Sequence, residues 1–366
     1  MVADLDLARW RLRTQHLVEP HLATAAEVVG ALLAVQAENP AQSAWAVAAR
    51  TAAPDPVDLA RLLDDGTVLR THVLRPTWHY VAADDAAWLI ELTAPRVRRT
   101  TQQQLRAVHG LDDRALDRAS TTVLEALESA ELTRSDLAGV LADTGDEIAG
   151  QALMILLADL ELQALVCSGP PSSDGTHTYA RFADRIPSPR RLDRDEALAE
   201  LALRYFTGHG PATEHDLSYW ATLPLGDVRA GLAQVADRLD SFEHDGRTFW
   251  HAPADPPATA GTPAGHLLQI LDETYRGYQD SRWVLDGAGV VPRAREPAAG
   301  MALVDAQLVA AMKRTVTADR VVFELRPYRR LRAGDRAALE ATASRYGEFL
   351  GRTGVLDVRA TPPPRL

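Results

Sequence analysis

The sequence predicts a mainly α chain with small β hairpins, an α+β class built from tandem repeats and closed by a β-rich C-terminal domain. Three observations predict it. An order of helix, turn, helix, helix and hairpin occurs twice in the middle of the chain. Side-chain caps at Thr24, Asp55, Thr133 and Thr213 each stand ahead of an apolar-periodic segment. Residues 252–265 form a linker rich in Pro, Ala and Thr, and short apolar runs follow it.

The elements follow in order. Residues 6–17 read as a helix. Thr24-Ala25-Ala26-Glu27 is a capping box, so a second helix starts at Ala25 and runs through Val28, Val29, Leu32 and Leu33. Pro40 disfavours the helical conformation at Asn39, which puts the helix end near Gln36. Residues 56–64 form another helix, capped by Asp55 with proline in its first position. Residues 67–81 alternate as a hairpin with Trp78 and Tyr80 inward. Asp84 then caps a helix carrying Trp88, Leu89 and Leu92 that stops before Pro95.

Residues 112–129, a Thr133-capped segment at 134–143, and 151–165 make a helical triplet, followed by a ribbon of 165–168 and 177–180. The order returns as 195–207, a Thr213-capped helix at 214–221, 225–239, and a hairpin of 241–244 and 248–251 around Asp245-Gly246. This is the winged-helix order, and the first 95 residues fit it more loosely. The expected domains are therefore three winged helices at 1–95, 96–190 and 191–255, then a β-rich domain at 262–366. Its strands are expected at 267–271, 284–291, 302–304 and 321–325, with a final helix at 336–349 capped by Asp335.

Composition sets limits on function. With 46% hydrophobic and 24% charged residues, the chain reads as an ordinary soluble globular protein. Asp4 and Asp6 stand where a secretion signal needs positive charge, and no apolar run reaches membrane-spanning length, so a cytoplasmic protein without a membrane partner is expected. Cys167 is alone, which excludes a disulfide framework. The eleven histidines lack ligand spacing, so neither a metal nor another cofactor is expected. Gly208-His209-Gly210-Pro211 reads as a turn between helices, and no serine sits in a nucleophile elbow. A net charge of −11 excludes a protein that coats DNA by bulk electrostatics. Local basic runs exist, however. No acid occurs from Leu92 to Leu111, while Arg96, Arg98, Arg99 and Arg106 lie there, and Arg320, Arg326, Arg329, Arg330 and Arg332 crowd a second stretch. Either run fits a DNA-facing surface or a solvated face.

Two clusters carry chemistry. Val35-Gln36-Ala37-Glu38-Asn39-Pro40 sets an amide and a carboxylate two residues apart where a helix gives way to extended chain. Such a pair can position and deprotonate a water, and the carboxylate can stabilise a developing oxocarbenium ion. The same pair also fits a solvated helix end. In Leu74-Arg75-Pro76-Thr77-Trp78-His79-Tyr80-Val81 a strand would present Arg75, Thr77 and His79 on one face, which also fits a half-exposed strand with a hydrogen-bonded histidine. Trp45, Trp78, Trp88 and Trp220 recur at apolar spacing and read mainly as core.

Both clusters, with Asp85-Ala86-Ala87-Trp88-Leu89, Ala94-Pro95-Arg96-Val97, Arg204-Tyr205-Phe206, His209-Gly210-Pro211-Ala212-Thr213, Leu271-Asp272-Glu273 and Gly277-Tyr278, resemble the winged-helix DNA glycosylases of the AlkZ/YcaQ type. The similarity runs in one order over nearly the whole chain. It implies an enzyme that excises alkylated purines and unhooks interstrand crosslinks. The family's catalytic element is Gln-x-Gln or Gln-x-Asp. Gln36 matches its first position, and Glu38 departs from the second by carrying the carboxylate on a longer stem. Two further departures are Gln279-Asp280-Ser281-Arg282, where the family often has a basic residue, Asp and Arg in succession, and Met312, where a tryptophan often stands. On this resemblance we expect a monofunctional glycosylase that hydrolyses the N-glycosidic bond of N7- or N3-alkylated purines in duplex DNA. Glu38 would activate the water and Gln36 would orient it. Arg75, Thr77 and His79 would hold flanking phosphates or sugar, and Arg98, Arg99 and Arg282 would contact phosphates. A monomer associated with the nucleoid is expected. The alternative is a winged-helix DNA-binding or regulatory protein without catalysis, in which Gln36 and Glu38 only cap a helix.

Overall fold

The computed structural model describes residues 2–254, 264–269, 271–291 and 300–359. It is a mixed chain of helices and strands with a strand-rich C-terminal region. The first helix, Asp4–Thr14, lays Leu7, Ala8 and Leu12 into a core shared with the C-terminal sheet. Helix Ala25–Leu32 starts as expected, its Thr24 hydroxyl accepting the Glu27 N–H and so satisfying a first-turn donor. It ends before the expected Gln36. Leu33 adopts φ 64° and breaks the helix, and Ala34–Gln36 continues as a strand. This strand pairs antiparallel with Trp78–Ala82, which pairs in turn with Val68–His72. Ladder partners thus satisfy the backbone of a segment whose three side chains are all buried. The 67–81 hairpin is present and Tyr80 points inward, but Trp78 is only half-buried, and Arg75 and Thr77 fall in the connection rather than on a strand.

Helix Pro56–Asp65 is capped by Asp55. Helix Ala83–Ala107 corrects two expectations. Its cap position is Ala82, so Asp84 sits in the first turn, where a negative charge suits the helix dipole. It also runs through Pro95, crossing the expected boundary at residue 95. An interior proline costs about 3 kcal/mol, but burial of Leu92, Ala94, Val97 and Leu105 along this helix, at about 1.5–3 kcal/mol for each large apolar side chain, outweighs it.

Beyond it lie Asp113–Ala126, the short strand Leu132–Thr133, helices Arg134–Asp143 and Gly150–Glu161, and the hairpin Val166–Ser168 with Thr178–Arg181. The order repeats as Arg194–His209, a single bridge from Ala212 to Trp250, Glu214–Ala221, Leu225–Val235, and the hairpin Asp240–His244 with Arg247–His251. Thr133 and Thr213 close reciprocal capping boxes with Asp136 and Asp216. Asp245 and Gly246 both take positive φ at the hairpin turn, as a two-residue turn of this kind requires.

The C-terminal sheet has the order Thr353–Val358, Arg320–Pro327, Gln307–Val316, Gly300–Val304, Gly265–Leu268. Only the first pair is parallel, and helix Ala333–Phe349 makes the crossover between its strands, burying Leu339, Ala343, Tyr346 and Phe349. This helix begins ahead of Asp335, which lies in its first turn and accepts the Arg332 N–H. Residues 284–291, expected as a strand, instead belong in part to the tight helical turn Arg282–Asp286, which buries the neighbours Val284 and Leu285 together as an alternating strand could not. The sequence reading places no strand at Gln307–Val316 or Thr353–Val358, where the structure has two. Most of the 252–265 linker lies outside the described residues. Among the described residues no helix is long and apolar enough to cross a membrane.

Candidate active site

The break at Leu33 puts Gln36 opposite His79 in the strand ladder. The connection before His79 is tight: Leu74 takes φ 68°, the Arg75 N–H donates to Val73 O, and the Thr77 N–H donates to Arg75 O. Thr77 is thereby brought beside Gln36, whose Nε2 donates to the Thr77 hydroxyl at 2.8 Å. The Gln36 Oε1 accepts the backbone N–H of Glu38 at 2.9 Å. The Glu38 carboxylate accepts the backbone N–H of Trp78 at 3.3 Å. Gln36 is 2% exposed, whereas Glu38 is exposed. A buried amide therefore fixes the loop on which an open carboxylate stands. The Gln36 side chain thus meets the backbone of Glu38 and not its carboxylate, and the pair stands on a strand and its exit loop, not on a helix end.

Beneath Gln36 lies Glu273, fully buried in the short helical turn Glu273–Arg276. Its Oε1 accepts the Gln36 N–H at 3.0 Å, and its Oε2 accepts Trp220 Nε1 at 2.8 Å and faces His209 Nε2 at 3.4 Å. Two glycines permit this convergence. A Cβ on Gly208 would lie 2.3 Å from Ala31 O, and one on Gly277 would lie 2.9 Å from the His209 ring. Burial works to raise the Glu273 pKa, but the His209 hydrogen bond and the Arg75 charge outweigh it and draw it down to about 2. Burial, reinforced by Arg75, lowers His79 to about 3, so its imidazole is neutral. His79 Nδ1 then donates to Thr77 O at 2.9 Å, leaving Nε2 as the acceptor facing Arg75 at 3.4 Å.

A second wall rises from the first hairpin. Arg70 donates to Ala37 O at 2.9 Å and lies over the Trp78 ring at 4.3 Å. Trp78 Nε1 donates to Glu161 Oε1, and His72 Nδ1 bonds the other oxygen of the same buried carboxylate.

The structure separates the remaining expected contacts. Arg75 is 9% exposed and donates to Arg276 O, and His79 is fully enclosed. Both therefore support the strand from within and do not form an open face with Thr77. Arg98 is held by Asp159 through two bonds of 3.1 and 3.2 Å. Arg99 is exposed. Arg282 donates to the carbonyls of Tyr275 and Tyr278 and stacks over Tyr275. Among the described residues no group of three or more His, Cys, Asp or Glu could hold a metal ion.

Glu273 and Arg70 had no role in the sequence reading. Glu273 was visible only as part of a family-like segment, because the strand it holds lies 237 positions away. A family profile, DNA glycosylase AlkZ-like, matches residues 29–349, and the chain belongs to that family. The interstrand DNA cross-link repair glycosylase of Streptomyces sahachiroi is 27% identical over 286 residues, covering 73% of this chain and 75% of that protein. The solved structure of the Streptomyces sahachiroi DNA glycosylase AlkZ shares the fold, with a TM-score of 0.74 and 22% identity over 98% of this chain and 100% of that one.

Proposed function

We propose that this protein hydrolyses the N-glycosidic bond of alkylated purines in duplex DNA, interstrand crosslinks included, and leaves an intact abasic site. Family membership supports glycosylase activity, and the relative named for cross-link repair supports the wider substrate. The observation that carries the reading is the open Glu38 carboxylate on a loop fixed by buried Gln36. An N7- or N3-alkylated purine is cationic, so its glycosidic bond is already weakened and the leaving base needs no strong proton donor. Glu38 takes a proton from the water that attacks C1′ and stabilises the oxocarbenium character of the sugar. The bond from C1′ to the base nitrogen breaks, and its electrons neutralise the departing base. Gln36 and Thr77 hold this arrangement, with Arg75 and His79 bracing it from below. Arg99 and Arg282 contact phosphates, with Arg98 beside them. The two repeated helix–hairpin units act as winged helices, with a third, looser one at the N-terminus, and the monomer suffices.

Both ends of the Gln36 carboxamide are already bonded within the protein, and this favours a second reading, DNA binding without catalysis. Incubation with duplex DNA carrying N7-methylguanine, scored for abasic sites, separates the two. Abasic sites from wild type but not from Glu38→Gln support catalysis, and none from wild type supports the second reading.

A further inference from the structure

Glu38 is exposed, yet both of its main-chain groups and its carboxylate are held. Its N–H donates to Gln36 Oε1 at 2.9 Å, its carboxylate accepts the Trp78 N–H at 3.3 Å, and its carbonyl accepts Arg70 Nη2 at 3.5 Å. Trp78 and Arg70 also hold Ala37, one residue earlier. The Ala37 N–H donates to Trp78 O at 2.7 Å, and its carbonyl accepts Arg70 Nε at 2.9 Å. We propose that Arg70 is a positioning residue for excision: together with Trp78 it fixes the 37–38 loop and so keeps the Glu38 carboxylate aimed at the attacking water.

The strand ladder alone does not supply this hold. Pairing of Ala34–Gln36 with Trp78–Ala82 reaches only to Gln36 and His79, and a chain that leaves a ladder ordinarily gives its polar groups to water. Here a guanidinium comes from Val68–His72 instead. Arg70 is 7% exposed, and its side-chain hydrogen bonds go to main-chain oxygens and not to a carboxylate. Burying a charge on such partners is costly. Burial accordingly lowers the Arg70 pKa, with Glu161 and Glu38 among the groups that oppose this. That cost is spent on a loop of two residues, and the side chain this loop presents to solvent is Glu38.

Arg70 acts from a fixed post. Its guanidinium carbon lies 4.3 Å from the Trp78 ring centre, and Trp78 Nε1 donates to the buried Glu161 at 3.4 Å. His72, on the same face of the strand as Arg70, bonds the other oxygen of Glu161 and packs its ring 4.6 Å from that of Trp78. One planar fork reaches two successive carbonyls, which a lysine ammonium cannot reproduce.

This inference rests on the glycosylase reading with Glu38 as the base. Release of N7-methylguanine from a duplex is followed under single turnover with saturating enzyme for wild type, Arg70→Met, Arg70→Lys, Glu38→Gln, and Glu38→Gln combined with each Arg70 variant. The rate constant decides, not the amplitude. A role confined to folding lowers the fraction of active protein but leaves the folded fraction at the wild-type rate. Positioning predicts a rate constant about 10- to 100-fold lower in Arg70→Met and a fall in Arg70→Lys, which keeps the charge but loses the fork. It also predicts little further loss when either change is added to Glu38→Gln, because Arg70 acts through that carboxylate. If Arg70→Met does not fold, Arg70→Lys and its double variant carry the same test. Wild-type rate constants in the Arg70 variants, or losses that multiply with that of Glu38→Gln, overturn the positioning role and leave the glycosylase reading standing. No release by wild type overturns both.

Discussion

The carboxylate of Glu273 accepts the backbone N–H of Gln36 at 3.0 Å, and neither residue is more than 2% exposed. The C-terminal region thus holds the strand that carries the candidate catalytic element. A neighbouring buried pair repeats the connection: Asp272 receives Arg50 Nη2 at 2.9 Å, and Arg50 also bonds Gln15. Removing Glu273 leaves the Gln36 N–H, Trp220 Nε1 and the Arg75 charge uncompensated in a dry site. Glu273→Ala should therefore cost about 3–5 kcal/mol of stability, read by denaturant unfolding. A loss below about 1 kcal/mol would show that the carboxylate does not hold the strand.

Glu38 and Gln36 should behave differently. Glu38 is exposed, so Glu38→Gln should leave unfolding unchanged and lower excision about 100-fold or more. Gln36 is buried with two side-chain bonds, so Gln36→Ala should lower both stability, by about 1–3 kcal/mol, and excision. Wild-type excision by Glu38→Gln would remove it from catalysis.

Acid should destabilise the fold early. Burial holds His79 at about 3 and His266 at about 4, against an ordinary 6.5. The unfolded chain takes up these protons first as pH falls. Their contribution is complete above 6.5 and is lost between 6.5 and the folded values, at about 2 kcal/mol each by pH 5. Glu273, ordinarily at 4.5 and here at about 2, adds to the loss only below 4.5. The Tm should fall from pH 7 to pH 5, and His79→Asn should flatten part of that fall. A constant Tm over this range would contradict neutral burial of these rings.

Arg98 and Arg99 are neighbours in sequence with separate expected effects. Arg99→Ala should lower the magnitude of the salt slope of DNA binding by about 1. Arg98, tied to Asp159, should mainly affect stability, and Arg98→Ala should change the slope less than Arg99→Ala does. The reverse order would place Arg98 on the DNA face.

What was legible in the sequence was local. Caps at Thr24, Asp55, Thr133 and Thr213 act over two or three residues, so helix starts were readable. Ala34–Gln36 was not, because three residues become a strand only by pairing with Trp78–Ala82. Pro95 marked a stop by local rule, yet long-range burial carried the helix past it. Gln36 and Glu38 stood out as a pair close in sequence, whereas Glu273, His209 and Trp220 meet only when distant segments pack.

The last prediction concerns mechanism class. Glycosylases that also cut the backbone attack the sugar with an amine and pass through a Schiff base. Lys313 is the only side-chain amine in the sequence. It is exposed on strand Gln307–Val316, opposite Glu324, in the C-terminal sheet, whereas Gln36 belongs to a separate three-stranded sheet. No side-chain amine therefore accompanies the Gln36–Glu38 element, and attack by water is the expected route. Borohydride should trap no protein–DNA adduct, and strand breaks should follow only alkali treatment. An adduct that is trapped with wild type and lost in Lys313→Ala would overturn the water mechanism and move the chemistry to the C-terminal sheet.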